Sequence, residues 1–217
     1  MNTTLGLLTQ ALDLGGPVVL VLMGLSVIAM TTAIFKIWHF ARAGVGRHHD
    51  LKDTLEAWDT GDVQKAVFLA AHSKSYLASV IDMSFGATAK DVSRIAAEAE
   101  TRFAKLETGL RLLDSIAQVS PLLGLFGTVL GMIEAFQALQ EAGTQVDPSL
   151  LAGGIWVALL TTAVGLAVAM PTSLVHSWLE GRMDADRVLA EHAVATVLFP
   201  RDRQNRTMGP EERLSHV

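Results

Sequence analysis

Cysteine is absent from the 217 residues, which excludes disulfide frameworks, thiol nucleophiles and cysteine zinc sites. Charge is scarce as well. Only 18% of residues are Asp, Glu, Lys or Arg against 50% hydrophobic, and the mean hydropathy of +0.37 is too apolar for an ordinary soluble domain. With 17 basic and 22 acidic residues and a net charge of −5, there is no basic surplus to form a nucleic-acid-binding surface. The scarcity is also local. All 17 Lys and Arg fall in two stretches, eleven from Lys36 to Arg111 and six from Arg182 to Arg213, and none lies in 1–35 or 116–178. That distribution belongs to a membrane protein.

Three runs are long enough to cross a bilayer core of about 30 Å: 17–35, 116–139 and 153–178. The first has no basic residue before it and no small-x-small cleavage site after it, so it reads as a span and not a cleaved signal peptide. The positive-inside rule orients the chain. Segment 36–115 and the tail 179–217 carry the bases and belong in the cytoplasm. The connection 140–152 has Glu141 and Asp147 but no base, so it and the N-terminus belong outside. Residues 1–16, with Leu5, Leu8 and Leu12 on one helical face, fit either a short helix along the outer interface or a disordered terminus. The predicted fold is therefore an all-α membrane protein with three transmembrane helices, the second and third extending into the cytoplasm beside a helical cytoplasmic region.

Segment 36–115 balances eleven acids against eleven bases, as a solvated structural region would. Helices are predicted over 50–58, 62–71 and 75–85, with Gly61-Asp62 and Gly86 as breaks and Thr88 with Asp91 as a capping box. From Val92 the positions Ala96, Ala99, Phe103, Leu106, Leu110, Leu113 and Ala117 follow in heptad steps. Lacking Pro or paired Gly, the stretch reads as one helix over 89–139, roughly 75 Å long at 1.5 Å per residue. The third span is expected to continue to Pro200, and 201–217 to be disordered. Seven histidines invite a metal, but His48, His49 and Asp50 have no partner pair at ligand spacing and read as surface residues. The spans hold no Ser–His or paired-carboxylate arrangement for hydrolysis. No residue is assigned to catalysis, a cofactor or a metal, and the chain is not expected to be an enzyme.

Inside the membrane the seam turns small: Ser120, Gly124, Thr128, Gly131 and Ala135 on the second span, and Ala158, Thr162, Gly165 and Ala169 on the third. Each set steps by four and three, so each is one helical face, and Thr128 and Thr162 should share a depth near the bilayer centre. Small residues permit close helix packing, while hydroxyls on a narrow face can also hold an ion or water. Stripe geometry does not separate the two readings. An ion path would also need a titrating group, which these faces lack and another chain would have to supply. Glu134, the carboxylate inside a span, lies near the outer end on the Gly127 face and fits a structural or gating rim. Pro121 and Pro171 are candidate kinks.

The run Ser120-Pro121-Leu122-Leu123-Gly124-Leu125-Phe126-Gly127-Thr128-Val129-Leu130-Gly131-Met132-Ile133 closely resembles the signature of the MotA/TolQ/ExbB proton channel family. So does Gly154-Ile155-Trp156-Val157-Ala158-Leu159-Leu160-Thr161-Thr162-Ala163-Val164-Gly165-Leu166, with Pro171 after it, and Leu106-Glu107-Thr108-Gly109-Leu110-Arg111-Leu112-Leu113 is similar to the family too. Three spans with the N-terminus outside resemble the ExbB/TolQ branch. The resemblance implies a homopentameric ring in the bacterial inner membrane around an ExbD-like single-span protein that brings a transmembrane aspartate. Thr128 and Thr162 match threonines lining the path near that aspartate, and work would pass to a TonB-like protein. The doubled Thr161-Thr162 leaves Na⁺ open beside H⁺ as the transported ion. Where members of this branch often carry glutamate this chain has Val157, which implies a drier path at that level. A TolQ-like role in envelope constriction is the neighbouring alternative, and a passive membrane scaffold the alternative from another class.

Overall fold

The structure, a computed structural model, describes the backbone of residues 2–199 apart from 47, 74, 89 and 143–147, and side chains from residue 16 onward except also 142, 148 and 150. The elements are α1 (Asn2–Ala43), α2 (His49–Asp59), α3 (Val63–His72), α4 (Ala78–Phe85), α5 (Val92–Glu107), α6 (Leu110–Ala142) and α7 (Pro148–Leu198). Among the described residues all regular structure is helical. Three stretches are long and apolar enough to cross a membrane, Gly16–Ala43, Leu110–Glu141 and Leu151–Leu198, and they contain the three runs read from the sequence. The predicted tail 201–217 lies outside the described residues.

One sequence expectation fails. The single helix over 89–139 is two helices, α5 and α6, parted at Thr108-Gly109. Gly109 has φ 91, a left-handed conformation that costs glycine little and other residues more, so one glycine ends the helix without Pro or a pair. The heptad register also shifts at its ends. Ala99, Phe103, Leu106, Leu110 and Leu113 are buried as expected, but Ile95 and Ile116 are buried while Ala96 is exposed. In α1 the backbone breaks at Gly16 (φ 65, ψ −166), and Pro17 follows where a new helical stretch begins and no intrahelical donor is needed.

The chain divides into two compact units. Unit one comprises Met1–Lys36 and Gly109–Trp178, thus most of α1, all of α6 and the first part of α7. Its interior includes Leu22, Leu113, Ile116 and Ser120, whereas Val27, Leu122, Leu159 and Leu174 are more than half exposed. An apolar exterior of this kind is what lipid or neighbouring helices cover. Lys36 is buried, its stem over Gly109 and beside Thr32.

Unit two comprises Ile37–Thr108 and Leu179–Val217. Leu51, Leu77, Val80 and Ile81 form its core with Leu179, Met183 and Ala193 of α7. Trp58 stacks on Phe85 at 4.6 Å and donates its indole N–H to the Val197 carbonyl at 3.1 Å. Asp62 caps α3 by accepting the Lys65 N–H at 3.1 Å. Ahead of α5 the Asp91 carboxylate accepts from the Thr88 N–H at 3.0 Å and the Thr88 hydroxyl at 2.8 Å. These bonds, the backbone one foremost, hold its pKa below the usual aspartate range. This is the reach-back half of the expected capping box, and α5 starts after it, at Val92.

Candidate functional site

In unit one, α6 and the first part of α7 meet along the small-residue faces. A Cβ on Gly131 would lie 3.0 Å from that of Ala158, one on Gly154 would lie 2.7 Å from that of Ala135, and one on Gly165 would lie 2.6 Å from the Ser120 carbonyl oxygen and 3.1 Å from the Gly124 Cα. The helices therefore touch backbone to backbone, as small residues permit. Gly131 is level with Ala158 and Gly124 with Gly165, so Thr128 is level with Thr161 and within one residue of Thr162. Gly124, Gly131, Ala135, Ala158 and Gly165 are thus brought together by the hairpin itself, and Ala169 is buried further along α7.

The three threonines differ in surroundings. Thr161 is 2% exposed, and its hydroxyl donates to the Ala158 carbonyl at 2.7 Å, with the Gly124 carbonyl a second acceptor at 3.1 Å. Its side chain fills the space above Gly127, where a Cβ would fall 2.6 Å from Thr161 Oγ1. Thr162 is half-buried and donates to the same Gly124 carbonyl at 3.1 Å. Thr128, also half-buried, donates back to the Leu125 carbonyl of its own helix at 2.6 Å. Thr128 and Thr162 thus sit at the edge of the seam and Thr161 inside it. Glu134 is exposed, Val157 is half-buried, Pro121 is half-buried and Pro171 exposed, and both prolines lie within unbroken stretches of α6 and α7. The hydroxyl level carries no titrating side chain among these residues.

Unit two holds a second polar assembly that sequence reasoning missed. His48 is 8% exposed, not on the surface as expected. Its Nε2 lies 2.6 Å from Asp186 Oδ1, its Nδ1 3.2 Å from Ser75 Oγ, and the Tyr76 hydroxyl donates to Asp186 Oδ2 at 2.8 Å. Burial, then the bond to Asp186, pushes the Tyr76 pKa far up, so this phenol stays a donor. Tyr76 meets Phe103 edge-on at 6.1 Å, and the Arg187 guanidinium lies over Phe103 at 5.3 Å while pairing with Glu100 at 2.9 Å and Glu107 at 2.8 Å. One signal was readable: Leu179, Met183, Asp186, Ala190 and Ala193 keep heptad spacing, and Asp186 is the lone acid on that buried face. Ser75, His48 and Asp186 list like a hydrolytic triad, yet Ser75 is itself buried and its oxygen already accepts the Leu77 N–H at 3.2 Å. That wiring is a turn fastening, not an activated nucleophile. Among the described residues no group of three or more His, Asp or Glu gathers within reach of a metal.

Comparison with known proteins adds the family. Residues 63–191 match the MotA/TolQ/ExbB proton channel family, the range that holds both the threonines and the glycine contacts. An ExbB-like biopolymer transport protein of Synechocystis sp. is 33% identical over 168 residues, 74% of this chain and 66% of that protein. Biopolymer transport protein exbB1 of Vibrio cholerae is 43% identical over 91 residues, 40% of this chain and 37% of that protein. The Tol-Pal system protein TolQ of Haemophilus influenzae is 42% identical over 80 residues, 37% of this chain and 35% of that protein. The matches therefore span less than two thirds of these relatives' lengths. A channel-type family, and not an enzyme family, accounts for what this hairpin is, and the chain belongs to the MotA/TolQ/ExbB proton channel family.

Proposed function

We propose that the chain is the ring-forming subunit of a proton-motive-force-driven motor in the bacterial inner membrane. In this reading five copies enclose the transmembrane helices of an ExbD-like partner with one span per chain, and the work goes to a TonB-like protein serving outer-membrane transport. The observation that carries it is the level of Thr128, Thr161 and Thr162: hydroxyls gather at one depth of the hairpin with no titrating group among them. A proton path through such a level needs a carboxyl from a second chain. The orientation by positive charge fits, with the N-terminus and the 140–152 connection outside and unit two in the cytoplasm. The relatives named TolQ favour one second reading, the same motor in a Tol-Pal envelope system.

Native mass spectrometry of the chain co-expressed with an ExbD-like single-span protein from the same genome tests the reading. A five-copy ring retaining the partner is expected; a monomer or dimer that ignores the partner in several mild detergents overturns it. Beside a TonB-like gene the ExbB-like role follows, and beside a Tol-Pal cluster the TolQ-like one.

The threonines give a separate expectation. Thr128→Ala and Thr162→Ala should each assemble normally, since a hydroxyl bond contributes only about 1 kcal/mol, yet lose energy transduction. Thr162→Ser, which keeps the hydroxyl, should retain most of it. Full transduction in both alanine variants would mean that these hydroxyls only pack, as in a passive scaffold.

A further inference from the structure

The His48 cluster joins places far apart in sequence, and the ion path makes no use of it. His48 follows the turn that ends α1, where Gly44 and Gly46 have φ 74 and 78, while Ser75 and Tyr76 belong to the turn between α3 and α4. Asp186, on α7, is 2% exposed and takes a donor on each oxygen, His48 on one and Tyr76 on the other. One carboxylate thereby fastens two turns to one helix.

On its Ser75 side the cluster accommodates the imidazole in either protonation state. In the neutral ring the contact with Asp186 at 2.6 Å places the proton on Nε2, since two bare acceptors would repel. The Gly46 N–H also points at this nitrogen, at 3.1 Å, so Nε2 is shared between that amide and the Asp186 contact. Nδ1 accepts from the Ser75 hydroxyl. In the protonated ring Nδ1–H donates to Ser75 Oγ, which still has a lone pair for the Leu77 N–H. What changes is the charge opposite Asp186. The other charged groups around the cluster are engaged elsewhere: Arg187 with Glu100 and Glu107 of α5, and Arg182 with the Val45 carbonyl at 3.4 Å. Tyr76 remains a neutral donor. A positive charge on His48 therefore turns its bond to Asp186 from a neutral-donor contact into a charge-paired one, which is stronger.

We propose that His48 and Asp186 form a proton-operated latch, in which a proton on His48 tightens the hold of the α1–α2 turn on α7 and stiffens unit two. That the pH it senses is cytoplasmic rests on the proposed function; the latch itself rests on unit two alone.

Backbone hydrogen exchange of the full chain in detergent, at about pH 6 and about pH 8 and corrected for intrinsic rates, tests it. In the wild type, amides of α2 and of residues 179–198 should be roughly fivefold better protected at the lower pH. His48→Gln, whose amide still donates to Asp186, should fold and lose that difference. Equal wild-type protection at both pH values overturns the latch, as does an undiminished difference in His48→Gln. Should His48→Gln fail to fold, Tyr76→Phe decides: it removes only the second donor, so the pH difference must persist, and its disappearance also overturns the latch. Neither partner nor gradient is needed. A flat profile in a chain that still forms a partnered ring rejects the latch alone, and a steep profile in a chain that stays monomeric rejects the ring alone.

Discussion

Gly165→Val is expected to abolish both assembly and energy transduction. A Cβ at this position would sit 2.6 Å from the Ser120 carbonyl oxygen and 3.1 Å from the Gly124 Cα, and both obstacles are backbone, which cannot rotate aside. The helices must part, and with them the carbonyl that Thr162 holds. Even Gly165→Ala should destabilise the hairpin by about 1–3 kcal/mol, the usual cost of overpacking. The sign is diagnostic, because Gly→Ala inside a helix is otherwise favourable by about 1 kcal/mol. Gly153→Ala provides the contrast: its Cβ would meet nothing within 4 Å, so that variant should assemble at least as well as the parent. Size-exclusion profiles in detergent and a growth assay for transduction read both effects. A Gly165→Val protein of normal assembly would show that the α6–α7 contact is not the one described.

Asp186→Ala should be the most damaging change in unit two, by about 2–6 kcal/mol, the cost of stranding two buried donors at about 1–3 kcal/mol each. It leaves the His48 Nε2–H and the Tyr76 hydroxyl as buried donors without an acceptor and opens a hole on the α7 face between Met183 and Ala190. Asp186→Asn, which keeps shape and an acceptor, should lose much less. Asp184→Ala, two residues away and exposed, should unfold with the parent. Thermal unfolding in detergent, with protease sensitivity of unit two as a second readout, separates the three. Coincident unfolding of Asp186→Ala and Asp184→Ala would remove the cluster from any account of this unit's stability.

The spans were legible because their signal is one of composition over 18 residues or more, which no tertiary context reverses. The small-residue faces were legible because helical spacing is local, and the level of Thr128 and Thr162 followed from an antiparallel hairpin with a short connection. What the stripe could not tell is which side of each helix a residue such as Thr161 occupies: adjacent to Thr162 in sequence, it lies inside the seam because Gly127 leaves room for it. Gly109 escaped notice because a lone glycine is tolerated in many helices, and only its φ reveals a terminus. The His48–Asp186 pair was beyond local reading altogether, its members 138 positions apart. Asp186 as the solitary acid on an apolar heptad face was its only trace.

The hydroxyls at the hairpin's midpoint have one more consequence. Thr128, Thr161 and Thr162 have each committed their single proton to a main-chain carbonyl. Each oxygen that remains accessible therefore offers only lone pairs. In the proposed ion path, a species arriving at these three hydroxyls would meet acceptors, so it would have to bring its own hydrogen or a positive charge, as hydronium, a metal cation or a protonated carboxylic acid does and a bare carboxylate does not. The polarity of this level is set by two bonds within a helix, from Thr128 and Thr161, and one across the seam, from Thr162 to Gly124.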